Sequence, residues 1–211
     1  MGLINNIKKL RNSELSKKID KRLKEFESFK NKSTKEWFSE LCFCILTANS
    51  KAVTGLKIQN ELKVKGFCEY PHDLIREIIR KNKHRFHNNK AKYIVSARDH
   101  IDIKKKITRL VKEKGEIETR EWIVKNIKGL GYKEASHFLR NVGYKNLTIL
   151  DRHILNLMKE YDFIKEKPKT LNKKNYLEIE KIFKKIADTL KMPCAELDLY
   201  MWYMKTGKVL K

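Results

Sequence analysis

The chain has 211 residues, with 49 Lys or Arg against 26 Asp or Glu and a net charge of +23. That length suits one domain or two small lobes, no apolar run is long enough to span a bilayer, and the opening MGLINNIKKL lacks the apolar stretch of a signal peptide. A charge imbalance of this size speaks for a polyanionic partner. Nucleic acid is the first candidate, because neutralising phosphates releases condensed counterions; a cytoplasmic protein with no membrane partner is expected.

In chain order the predicted elements are nearly all helices. Ser33-Thr34-Lys35-Glu36 has the capping-box pattern and opens WFSELCFCILTA, apolar on most sides and predicted to be a central, buried helix. Cys42 and Cys44 stand two apart, on nearly opposite sides of such a helix. With Cys68 and Cys194 they fit neither zinc nor four-cysteine iron–sulfur spacing, so reduced thiols and no iron–sulfur cluster are expected. Asn49 follows in LTANS. A helix from about Ala52 is predicted to close at Gly66, and Pro71 begins one that runs to about Lys81. HRFHNNKAKYIVSARDHI holds another, with Arg85 and Phe86 at its entry, and the basic IKKKITRLVKEKG ends at Gly115.

Residues 117–127 and 133–142 are predicted helices flanking Gly129-Leu130-Gly131. Asp151 starts the next helix, Asn172 caps a long one to about Leu190, and Pro193 starts the last, which Gly207 ends. No period-two segment and no repeat is present. The three prolines and eight glycines sit mostly at helix ends, which predicts an all-α fold: a single unit of two helical lobes with a cleft between them. The lobes are expected over 33–135 and over 1–32 plus 136–211.

Ala135, Phe138, Leu139 and Val142 follow i, i+3, i+4, i+7, so the helix after the glycines has one apolar face. Glycines there permit positive φ, and the turn leaves amides free at a helix N-terminus, a ready anion site. A Gly-x-Gly turn alone also suits an ordinary helix–helix connection. Lys133 falls in the first turn of that helix, where the dipole disfavours an ammonium, and an uncharged amine is the form that attacks carbon. Asp151 reads as an N-cap; the donors that cap it would also hold an ionised carboxylate aimed where cationic charge develops. His153, two residues on, suits a phosphate.

The run GLGYK…LD closely resembles the helix-hairpin-helix DNA glycosylase superfamily. CILTANS, KGLGYKEASHFLRNVGY, LDRHIL and LDLYMWYMKTGKVLK are similar to its archaeal-type 8-oxoguanine DNA glycosylase branch, and the likeness covers most of the chain. The resemblance implies Lys133 as nucleophile at C1′ of the damaged nucleotide, Asp151 as its acid partner, and strand cleavage by β-elimination through a Schiff base. It implies amide donors at Gly129 and Gly131, and backbone carbonyls of Lys125, Ile127 and Leu130 around a Na⁺ or K⁺ ion, with no cofactor required. The partner implied is double-stranded DNA carrying 8-oxoguanine or an abasic site, handled by a monomer.

A flipped base leaves a hole in the stack. The resemblance puts Asn49 there, with Arg85 and Phe86 as second candidates, although Phe86 also suits a core. Trp202 leaves the stripe of Leu197, Tyr200, Met201 and Met204 and shares a face with Asp198. It reads either as packed or as a stacking platform for a lesion. The resemblance assigns a lesion contact to Lys211, otherwise a frayed terminus. A glycosylase for oxidised pyrimidines and a non-enzymatic DNA-binding module are the alternatives.

Overall fold

Helix starts follow the capping residues. Ser33 accepts the Glu36 amide and Glu36 returns the bond to Ser33, closing the reciprocal cap of α3 (Thr34–Thr47). Asp151 accepts from the Ile154 amide at the head of α9 (Arg152–Glu160), and Asn172 from the Asn175 amide at the head of α10 (Lys173–Thr189). Each bond satisfies an amide that helix geometry leaves open and contributes about 1 kcal/mol. Pro71 and Pro193 directly precede α5 (His72–Lys81) and α11 (Cys194–Thr206). The remaining helices are α1 (Leu3–Arg11), α2 (Leu15–Ser28), α4 (Ala52–Glu69), α6 (His87–Ser96), α7 (Ile103–Asn126) and α8 (Tyr132–Asn141). The computed structural model describes residues 2–211, and among them there is no strand.

The chain forms two compact units: Phe29–Phe138, and Met1–Ser28 with Leu139–Lys211. The boundary falls inside α8. In the first unit α3 is the centre, with every residue from Trp37 to Thr47 buried and α4, α6 and α7 packed on it. Gly55 lets α4 come close: a Cβ there would stand 3.2 Å from the Phe43 ring. In the second unit α11 packs on α2, α9 and α10, burying Ile19, Leu157, Phe183, Leu197 and Tyr200.

Three local features depart from the sequence reading. Gly66 does not close α4, which runs on to Glu69; the break comes earlier, at Lys63 (φ 54, ψ −172). Gly66 is small because a Cβ would lie 3.0 Å from Leu62 Cδ2 and 3.2 Å from Tyr70 Cδ2. Gly115 does interrupt the basic helix (φ 89), but the chain resumes at once as the second half of α7. Finally, α1 and α2 precede the first predicted helix. Their buried positions, Leu3 and Ile7, then Leu15, Ile19 and Phe26, are thinly spread among lysines.

Candidate active site and nucleic-acid interface

The hairpin joins α7 to α8 by a turn that only glycine can make. Gly129 has φ +88, and a Cβ there would stand 2.5 Å from Tyr93 Cδ2. Leu130 is buried and its amide donates to the Ile127 carbonyl at 3.4 Å. Lys125 lies in the last turn of α7 and Ile127 is its C-cap, where carbonyls lack intrahelical donors. α7 also clamps the first turn of α8. Fully buried Arg120 lays its guanidinium 5.3 Å from the centre of the Tyr132 ring and donates to Ser136 Oγ at 3.3 Å. The Tyr132 hydroxyl donates to Glu121 at 2.6 Å.

Lys133 projects from that first turn with Nζ 3.6 Å from Glu134 Oε1. Glu134 Oε2 accepts the Gly131 amide at 3.2 Å. The Gly131 donor expected to face a phosphate is therefore held by the protein's own carboxylate. Glu134 sits three residues after Gly131, the spacing at which a glutamate reaches back over a helix start.

Beside the hairpin, in the same unit, Lys90 and His84 are both buried. Lys90 Nζ donates to the Ile45 carbonyl at 2.7 Å. Burial pushes its pKa down to about 8; the Glu134 carboxylate opposes the shift and Lys133 adds to it. His84 Nε2 bonds the Leu46 carbonyl at 2.9 Å. Asn49 follows on an exposed turn with φ 58. Arg85 is exposed, Phe86 is half-buried, and the guanidinium lies 4.4 Å from the centre of the Phe86 ring.

Asp151 belongs to the other unit. The chain reaches it through Leu147–Leu150, all buried, whose backbone groups need partners. Glu180 accepts the Thr148 amide at 3.3 Å and the Tyr176 hydroxyl donates to the Thr148 carbonyl at 2.5 Å. Asp151 then adopts φ −90 and ψ 178, with Oδ1 2.8 Å from the Ile154 amide. His153 meets Trp202 edge-on, with ring centres 4.9 Å apart. Trp202 Nε1 is buried with no hydrogen-bond partner. Asp198 does not share the half-open setting of Trp202. It is 4% exposed and takes Arg140 Nη1 at 2.5 Å. Val209, Leu210 and Lys211 are half-buried.

Lys133, Gly129, Gly131, Asn49, Arg85 and Phe86 thus lie on one unit, and Asp151, His153, Asp198, Trp202 and Lys211 on the other. Sequence reading missed the supporting residues Glu134, Lys90, His84, Tyr176, Glu180 and Arg140. A signal existed for three: Glu134 stands at the reach-back spacing from Gly131, and Lys90 precedes Ile94 and Ala97 as Glu180 precedes Phe183 and Ala187, each on a buried helical stripe. Cys42, Cys44 and Cys194 are buried free thiols and Cys68 a half-buried one. No group of three His, Cys, Asp or Glu among the described residues could hold a metal, and none of the helices described is long and apolar enough to cross a membrane.

Residues 19–192 match the helix-hairpin-helix family described as 8-oxoguanine DNA glycosylase. The chain belongs to this family. It is 52% identical over 211 residues to the 8-oxoguanine DNA glycosylase/AP lyase of Methanocaldococcus jannaschii, covering 100% of both chains. It is 44% identical to that of Korarchaeum cryptofilum, over 99% of this chain and 98% of the other. The crystal structure of the M. jannaschii protein with a 15mer DNA containing 8-oxoguanine superimposes with a TM-score of 0.95, at 51% identity and 99% coverage of each chain. The Thermotoga maritima 8-oxoguanine DNA glycosylase does so with a TM-score of 0.91, at 37% identity over 99% of this chain and 98% of that one. The fold is that of the helix-hairpin-helix 8-oxoguanine glycosylases.

Proposed function

We infer that the protein removes 8-oxoguanine from double-stranded DNA and then cuts the strand at the abasic site. The observation that carries this is full-length similarity to a glycosylase/AP lyase at 52% identity, in a chain that offers a lysine in the first turn of the hairpin helix. In the reaction, the uncharged Lys133 amine forms a bond to C1′ as the N-glycosidic bond breaks, and the base leaves with the bonding pair and gains a proton. The sugar ring opens to a protonated Schiff base. Loss of a C2′ proton then expels the 3′ phosphate, and water releases the lysine.

Asp151, held by the Ile154 amide, stabilises the positive charge that grows on the sugar. Base extrusion costs a few kcal/mol, and Asn49, Arg85 and Phe86 are the candidates to fill the hole. Trp202 offers a ring to the flipped base, and the terminal carboxylate of Lys211 could accept the N7 hydrogen that 8-oxoguanine has and guanine lacks. Carbonyl oxygens of Lys125, Ile127 and Leu130 suit an alkali cation, which would supply charge for a phosphate beside the hairpin. Such a substrate suits a protein that works on the chromosome in the cytoplasm, and one chain holding both Lys133 and Asp151 suits action as a monomer.

Borohydride trapping on duplexes carrying 8-oxoguanine, thymine glycol or no lesion tests this reading. A covalent adduct is expected on 8-oxoguanine, abolished in Lys133→Gln with DNA binding retained. Trapping on thymine glycol alone would turn the reading to oxidised pyrimidines, and binding without any adduct to a non-enzymatic module.

A further inference from the structure

The C-terminal carbonyls of a buried helix need donors from elsewhere. Two of those at the end of α3 receive them from one segment, residues 84–90. Ile45 O takes Lys90 Nζ and Leu46 O takes His84 Nε2. His84 has a second bond: its Nδ1 accepts the Phe86 amide at 3.2 Å. A ring that donates from one nitrogen to a carbonyl and accepts an N–H at the other is neutral, with its proton on Nε2. One buried imidazole therefore joins two turns distant in sequence. The first leads into the exposed left-handed Asn49, and the second carries Arg85 stacked on Phe86.

We propose that His84 is a positioning residue for base extrusion, fixing the Asn49 turn and the Arg85–Phe86 turn in one mutual register so that they enter the duplex as a unit. The proposal rests on the glycosylase reading. Loops that must be ordered at each encounter lose conformational entropy for every residue fixed, whereas turns already bolted to a buried helix end do not. The device works only in the neutral form. Protonating Nδ1 removes the acceptor for the Phe86 amide. Burial first holds the pKa of His84 below the usual histidine range, with the Leu46 carbonyl opposing and the charges of Lys90 and His87 adding.

His84→Gln and His84→Asn separate the two bonds. Glutamine reaches like Nε2 and keeps the Leu46 carbonyl; asparagine accepts the amide two residues on, as in an Asx-turn, and keeps only Phe86. Each is compared with wild type on a duplex with 8-oxoguanine and on a single strand with a preformed abasic site, which has no base to extrude. Duplex excision under single turnover is expected to fall about tenfold or more in both variants, since small misplacements carry that penalty, while single-strand cleavage stays near wild type. Equal losses on both substrates would mark His84 as merely structural, and full duplex activity in either variant would remove the coupling; both overturn the proposal.

Should the variants fail to fold, the wild type decides. The ratio of duplex excision to single-strand cleavage should drop as pH falls below the histidine range, and a constant ratio overturns the proposal. Wild-type protein inactive on both substrates would sink the glycosylase reading itself.

Discussion

Lys133 Nζ stands 3.6 Å from the Glu134 carboxylate, whose other oxygen holds the Gly131 amide. A phosphate approaching the hairpin would meet that negative charge and compete for the same donor. Glu134→Gln keeps an acceptor for the amide and removes the charge. Lesion-free duplex should bind more tightly by about 1 kcal/mol at low salt, roughly fivefold, and the gain should shrink as salt screens it. Fluorescence anisotropy across a salt series measures this, and weaker binding would mean that Glu134 assists the DNA rather than repelling it.

Much of the fold was legible because capping chemistry and apolar spacing agree. Ser33 with Glu36, Asp151 and Asn172 each cap the helix they announce, and α3 is as buried as its composition demands. The positive φ of Gly129 was legible too, but not its contact with Tyr93, which depends on a residue 36 positions away. Polar residues that serve distant backbone were hidden for the same reason. Lys90 answers the end of α3 and Tyr176 answers the approach to Asp151. No local pattern records such a pairing. The burial of Asp198 was not legible, because the side of α11 that it shares with Trp202 is not uniformly open. Arg140, from α8, closes over it.

That ion pair sets a stability prediction. Side chains of Arg140 and Asp198 are 6% and 5% exposed, so removing one partner strands a charge in the interior. Arg140→Met should cost about 3–5 kcal/mol, whereas Arg140→Met with Asp198→Leu should recover most of it, since apolar residues replace buried pairs well. Urea unfolding of the three proteins checks the order. A double variant no more stable than the single one would show that the pair contributes through its geometry.

Lys90 makes stability depend on pH in a known direction. Its pKa falls from 10.5 in the unfolded chain to about 8 in the fold, mainly through burial. A depressed value means that the group's contribution is fully present above pH 10.5 and is lost as pH falls through about 8. Lys90→Met lacks this dependence. The stability gap between wild type and variant should therefore shift in favour of wild type by about 3 kcal/mol from pH 7 to pH 11. Chemical denaturation of both proteins at the two pH values reads the gap directly; a gap independent of pH would mean that the ammonium is solvated in place.

Tyr176 acts on Asp151 through the backbone. Its hydroxyl donates to the Thr148 carbonyl at 2.5 Å, three residues before the carboxylate, and Tyr176 itself is fully buried. Tyr176→Phe keeps the ring and orphans that carbonyl, at a cost of about 1–3 kcal/mol. The Leu147–Leu150 segment loses one of the side chains that fix it, while Glu180 still takes the Thr148 amide. A displaced cap carries its carboxylate with it, and small shifts in a charge-stabilising group reduce rate steeply, so base release should slow by about tenfold. DNA affinity should hold, because the hydroxyl lies inside the unit and meets no phosphate. Single-turnover excision set beside anisotropy separates the two quantities. A parallel fall in both would indicate general loosening of the unit, and an unchanged rate would show that the Ile154 amide alone suffices to aim Asp151.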